Sequence, residues 1–245
     1  MKLNFAPNIN FKSIIDCYHY QNYENSKNKM IYCTTRLFRN DMEWGDFVNF
    51  LSDFYKNEQK VNTIDLSCSD GSEVYSLAML FNNLPDGQKF YPIKAYDLNS
   101  ELIFQAGKGR ISLGVDDIIA CKKLGIDFDD NFEKIQSSLG EFELYRVSPK
   151  IHSNIEFQPC EATRVLGKMK SKTDNTVLLF RNTLPYLTKE NREKCYSLID
   201  EKLGENSIVV LGGHDKYVLG SEAEDELSKR GFKKHPELKW VYVRS

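Results

Sequence analysis

The chain has 245 residues, 41% of them apolar and 28% charged, with a formal net charge of -2. That length supports one sizeable core, and the near-neutral balance excludes a global electrostatic pull towards nucleic acid. No apolar run approaches the length of a membrane-spanning helix, and the stretch Met1 to Asn10 lacks the apolar centre of a secretory signal, so a cytoplasmic protein without membrane insertion is expected.

The six cysteines, at positions 17, 33, 68, 121, 160 and 195, form no C-x-x-C pair. Neither a metal knuckle nor a disulfide framework is expected from them. Residues 1–30 are aromatic and polar with weak periodicity, which predicts an irregular lead-in packed on the domain. Trp44, Phe47, Val48, Leu51 and Phe54 then fall near helical spacing and predict a helix from Trp44 to Tyr55.

An apolar run at 61–66 reads as a strand carrying an acid near its end, followed by a turn of small residues. The spacing of Val74, Leu77, Ala78 and Phe81 predicts a helix over 73–84 with one buried face. A strand feeding a helix through small residues lets a ligand approach the backbone with the helix N-terminus behind it. The turn is not G-x-G-x-x-G, because Gly71 is its one glycine. Further strands are predicted at 91–96, 154–158, 176–181 and 206–212, with helices at 99–107, 189–203 and from Ser221 to Arg230. Gly204 takes the C′ position of its helix. The segment from Gly140 to Pro149 alternates, and the tail from Gly231 onward reads as a short hairpin. Strands alternating with helices argue for a mostly parallel sheet.

Four segments carry a resemblance. Thr35-Arg36-Leu37-Phe38-Arg39 resembles the motif T-x-F-F-R, and the stretch from Cys68 to Ser76 resembles C-S-T-G-E-E-P-Y-S. Ala95-Tyr96-Asp97-Leu98-Asn99 resembles A-x-D-I-D, and the stretch from Phe180 to Leu187 resembles C-R-N-V-x-I-Y-F. All four belong, in this order, to the chemotaxis-receptor methyltransferases, the CheR family. The resemblance runs from about Thr34 to the C-terminus. It implies an α/β class I methyltransferase (Rossmann-like) fold: a mostly parallel seven-stranded sheet ending in an antiparallel hairpin, with helices on both faces. It further implies a domain at 34–245 with a small β insertion near 140–149, and a reduced N-terminal domain at 1–33. The cofactor implied is S-adenosyl-L-methionine, with S-adenosyl-L-homocysteine as product. The partner implied is a protein bearing a glutamate acceptor, such as a chemoreceptor.

The residues themselves permit that chemistry. Asp97 ends a predicted strand, where a carboxylate can accept from both hydroxyls of a ribose; the plainer reading is a helix N-cap over 99–106. Glu73 opens a helix, where the macrodipole favours its charge, and by resemblance it reaches the cofactor's ammonium group. Gly71, Glu73, Asp97, Leu98, Glu161, Ala162, Arg181 and Asn182 are, by resemblance, the cofactor-binding residues, with Arg39 and Tyr186 as the catalytic pair. Arg181 as a bridge between surface carboxylates and Tyr186 as a cap on the core are the bland alternatives. Methylating a carboxylate needs no general base, since Asp and Glu are ionised at neutral pH. The task is to position a weak nucleophile, for which an arginine fork and a tyrosine hydroxyl are suited. No metal is required.

The chain departs from the family pattern at Ser72 and Val74, and at Glu161 and Ala162, where the family has Asn-Leu near the adenine. Gly212-Gly213-His214-Asp215 resembles a G-H-S-E ending with shifted residues, and His214 reads equally as a loop residue or a site residue. Two other functions compete. Asn182 to Tyr186 loosely resembles the N-P-P-Y motif of enzymes that methylate a nucleobase or protein amide nitrogen, and a catalytically inactive S-adenosylmethionine-binding module is the third reading.

Overall fold

Continuous apolar runs build a sheet whose central strands are buried on both sides. The computed structural model describes residues 23–24, 30–31, 35–136 and 142–245. Tyr23–Glu24 (β1) pairs antiparallel with Met30–Ile31 (β2); otherwise the expected lead-in at 1–30 lies outside the described residues. In chain order there follow α1 (Trp44–Phe54), β3 (Asn62–Asp65), α2 (Ser72–Asn82), β4 (Ile93–Asp97), α3 (Ser100–Gly107), β5 (Arg110–Gly114) and α4 (Val115–Lys123). Next come β6 (Phe132–Gln136), β7 (Phe142–Val147), α5 (Pro149–His152), β8 (Ile155–Pro159), α6 (Ala162–Lys168), β9 (Thr176–Leu179) and α7 (Lys189–Lys202). The chain closes with β10 (Ser207–Val210), α8 (Gly213–Leu219), α9 (Glu222–Lys229), β11 (Lys233–Lys234) and β12 (Val241–Arg244).

Seven strands form the central sheet in the order β11-β12-β10-β9-β3-β4-β8. The five from β10 to β8 are parallel, while β12 runs antiparallel to both β10 and β11. This is the class I methyltransferase sheet, with helices on both faces. Val177, Leu179, Ile208 and Val210 face α1 and α2, whereas Leu178, Phe180, Val209 and Leu211 face α6, α7 and α9. Strand order reverses between β3 and β9, so the crevice beyond their carboxyl ends is the topological switch point, where open α/β sheets hold ligands.

One local expectation changes and two hold with added detail. Helix α2 is buried all round, from Val74 through Phe81, because the sheet covers one side while α1, α5 and the segment around Phe38 cover the other. Gly204 does stand one residue beyond the C-cap, Leu203, yet not for a left-handed turn. A Cβ there would lie 2.0 Å from Asp174 Oδ1, so close approach is what requires glycine. The alternating segment does form a strand, β7, but as the middle of a three-stranded antiparallel sheet with β5 and β6. Neither β5 nor β6 shows in the sequence, since buried Ser112 interrupts one and two charges interrupt the other.

Cys68, Cys121, Cys160 and Cys195 are free thiols; Cys17 and Cys33 lie outside the described residues. Among the described residues no helix is long and apolar enough to cross a membrane.

Candidate active site at the carboxyl ends of the strands

One side of the crevice is built by tight turns. The β3–α2 turn takes Ser69 to a φ of 52° and Gly71 to 90°. Gly71 needs to be glycine on two counts: its positive φ, and a Cβ that would sit 2.8 Å from the Tyr75 ring. Asp70 Oδ1 accepts from the Ser72 amide (3.0 Å) and hydroxyl (2.7 Å), which fixes the start of α2. Burial pushes its carboxyl up to about 7.

Asp97 is not the helix cap. Asn99 performs that task, accepting from the Glu101 and Leu102 amides at 3.1 and 3.3 Å. Asp97 instead ties two turns together: Oδ2 accepts from the Ser69 amide and Oδ1 from the Asn99 amide, both at 2.8 Å. A carboxylate has about four acceptor sites, and the Ser69, Asn99 and Leu98 amides leave capacity there for a ligand hydroxyl. Burial raises its pKa, and the Asn99, Ser69 and Leu98 amides oppose the rise. The neighbouring Leu98 is 71% exposed, an apolar surface beside the acid. Cys160 N donates to Asp97 O at 2.9 Å, which brings the β8–α6 connection alongside. There Glu161 is the exposed N-cap of α6 and Ala162 is buried.

The other side is built by long-range ion pairs around Arg181. Its guanidinium, 1% exposed, pairs with Glu73 through one nitrogen and with Asp41 through another, and lies 5.2 Å from the Trp44 ring. Glu73 therefore does more than neutralise a helix end. Burial raises its pKa, and Arg181 is the chief opposing influence. No motif marks Asp41, yet it is the hub of this region. Its Oδ2 accepts from Asn182 Nδ2 and from the Gly213 amide, each at 3.3 Å, and stands 4.0 Å from Arg39 Nε. Arg39 is held by its carbonyl, which accepts from Trp44 Nε1 at 2.9 Å. The motif it ends is pinned by Phe38 N on Ser76 Oγ (2.9 Å) and Leu37 N on Asp117 Oδ1 (2.8 Å).

Asp215 is the second residue that sequence reasoning underrated. Its Oδ2 accepts from the Asn182 and Gly212 amides at 2.7 and 2.8 Å, and its Oδ1 from the Leu184 amide at 3.1 Å. The loop after β9 and the start of α8 are thus one unit. Burial raises the Asp215 pKa to about 6 despite these amides. Asn182, at a φ of 57°, also accepts from the His214 amide through Oδ1 at 2.9 Å. Tyr186 is 49% exposed, and its hydroxyl lies 3.3 Å from His214 Nε2, so it does not cap the core. Arg39 and Tyr186 are linked through Asp41, Asn182 and His214.

Two buried polar atoms here lack a hydrogen-bond partner: Asp65 Oδ2 and Arg181 Nε. Asp65 ends β3, its Oδ1 accepting from Ser67 N at 3.0 Å, and burial raises its pKa well above the usual range. Asp97, only partly buried, keeps acceptor capacity suited to a ligand hydroxyl.

Comparison with known proteins identifies the family. The family model described as CheR methyltransferase, SAM binding domain, matches residues 33–231. A chemotaxis protein methyltransferase of Listeria monocytogenes serovar 1/2a (strain ATCC BAA-679 / EGD-e) is 24% identical over 157 residues, 64% of this chain. The chain spans about half the length of that curated relative, the matched part being 54% of it. Among solved structures, magnesium protoporphyrin IX methyltransferase (ChlM) from Synechocystis PCC 6803 with bound SAM gives a TM-score of 0.41 at 14% identity, over 82% of this chain and 78% of that one. The [4+2]-cyclase SpnF gives 0.42 at 9%, over 77% and 58%.

Proposed function

Because the chain belongs to the CheR methyltransferase family and carries that family's S-adenosylmethionine-binding domain, we propose that it methylates a side-chain carboxylate, a glutamate, on a chemoreceptor-like protein. The linkage of Arg39 to Tyr186 through Asp41, Asn182 and His214 is the observation that carries this reading. It makes one unit of the two side chains best suited to hold a carboxylate, a guanidinium fork and a phenol donor.

The cofactor supplies a methyl group activated by a sulfonium. Asp97 is the residue proposed to hold its ribose, beside Leu98, with Glu161 and Ala162 bordering the base. Gly71, whose missing Cβ makes room for the Tyr75 ring, is proposed to meet the ligand through its backbone. Glu73, paired with Arg181 at the start of α2, is the residue proposed to face the cofactor's ammonium group. Arg181, already paired with Glu73 and Asp41, is suited to shaping the pocket through those acids. Arg39 and Tyr186 would orient the acceptor oxygen, and no residue needs to remove a proton, since the acceptor is ionised. Asn182 engages both ends of its amide inside the protein, which disfavours its use as the receiver of an amide or nucleobase N–H.

Incubation with methyl-labelled S-adenosylmethionine and a purified chemoreceptor cytoplasmic fragment tests the reading. The label should appear on the fragment and leave in mild base, as an ester does. Arg39→Lys should lose most turnover, because a point charge cannot reproduce the fork. Base-stable label would promote the nitrogen-methylating alternative; no label on any acceptor would promote the binding module.

A further inference from the structure

Tyr186 follows β9 and His214 lies in the first turn of α8, yet both are fixed. The Tyr186 amide donates to Thr183 O at 3.0 Å, and the His214 amide donates to Asn182 Oδ1 at 2.9 Å. The buried Asp215 carboxylate clamps the amides of Asn182, Gly212 and Leu184 around them. A Cβ on Gly212 would lie 2.2 Å from Asn182 Oδ1, so the two loops approach as closely as glycine permits. The result aligns the rings at 5.6 Å with a 30° tilt and leaves Nε2 3.3 Å from the phenol oxygen.

A phenol carries one proton, and a neutral imidazole carries one N–H and one lone pair. A phenol that donates to the imidazole has no proton left for an acceptor. An imidazole that donates Nε2–H to the phenol oxygen lets the phenol proton point elsewhere. We infer that His214 is a positioning residue for methyl transfer: its Nε2–H holds the Tyr186 oxygen so that the phenol proton faces the acceptor carboxylate. The inference rests on the carboxyl-methyltransferase reading. It assigns a task to a histidine whose ring would otherwise only pack.

Kinetics of His214→Phe, His214→Gln, Tyr186→Phe and the His214→Phe/Tyr186→Phe double variant test it, with the same fragment as acceptor. His214→Phe keeps a ring and should lower kcat about tenfold, the loss of one hydrogen bond, with S-adenosylhomocysteine affinity by calorimetry unchanged. His214→Gln, which retains an N–H donor, should recover most of that loss. The double variant should be no slower than Tyr186→Phe alone. Full activity in His214→Phe, or multiplicative losses in the double variant, would overturn the role. Fluorotyrosine labelling supplies a readout that needs no turnover: the fluorine resonance missing from Tyr186→Phe should shift in His214→Phe and return in His214→Gln. An unmoved resonance overturns the inference alone, whereas a wild-type protein that never esterifies the fragment overturns the acceptor reading on which it depends.

Discussion

The two sides of the crevice are made by different means. On the side of Asp97 most organising bonds are local: Asp70 to Ser72, Asp97 to Asn99 and Asn99 to Glu101 each span two residues. On the side of Tyr186 they join distant parts of the chain. Asp41 meets Arg181 across 140 residues and Gly213 across 172, and Asp215 meets Asn182 across 33. The first side is a set of turns that its own sequence largely specifies. The second exists only once the sheet has brought its strand ends together, and its buried charges bind it to the stability of the fold.

That contrast predicts where a lost carboxylate will be felt. Asp41→Ala should have the largest effect, about 3–5 kcal/mol by urea denaturation, because it leaves the buried Arg181 guanidinium with one of its two acids. A loss below about 1 kcal/mol would show that Glu73 alone satisfies Arg181. Asp97→Ala should barely move the urea midpoint, while S-adenosylhomocysteine affinity falls ten- to hundredfold, the equivalent of about 1.5–3 kcal/mol. Should both variants damage stability equally, the two sides would not differ as described.

A third experiment uses pH. Asp70 is pushed up to about 7, above its value in an unfolded chain, so the folded protein holds a proton there that the unfolded chain has released. Its contribution to stability is fully present below about pH 4 and declines as pH rises towards 7. The slope is at most about 1.4 kcal/mol per pH unit. Asp70→Asn should flatten the dependence in that window, as denaturation from about pH 4 to 7 would register. Asn99→Ala should cost about 1 kcal/mol of stability for a lost cap, with a weaker loss of cofactor affinity than Asp97→Ala as the Asp97 turn loosens.

Much of the Asp97 side is legible in the sequence. The apolar runs ending at Asp65 and Asp97, the small-residue turn and the hydrophobic spacing of α2 set strand, turn and helix within a few residues of where they lie. These are local signals, and local sterics and side-chain period enforce them. The tail hairpin is legible for the same reason. Arg39, Arg181 and Tyr186 can be singled out by motif, but nothing nearby in the chain says what they touch.

Tertiary structure decided the rest. It engaged Arg181 between Glu73 and Asp41, made Asp215 the clamp of two loops and set His214 against Tyr186. It also buried α2 all round, where periodicity pointed to one buried face. Charge pairing and amide capture act through space. Their partners are fixed by strand order and register, and residues far apart in sequence carry no trace of the distance that the folded sheet removes.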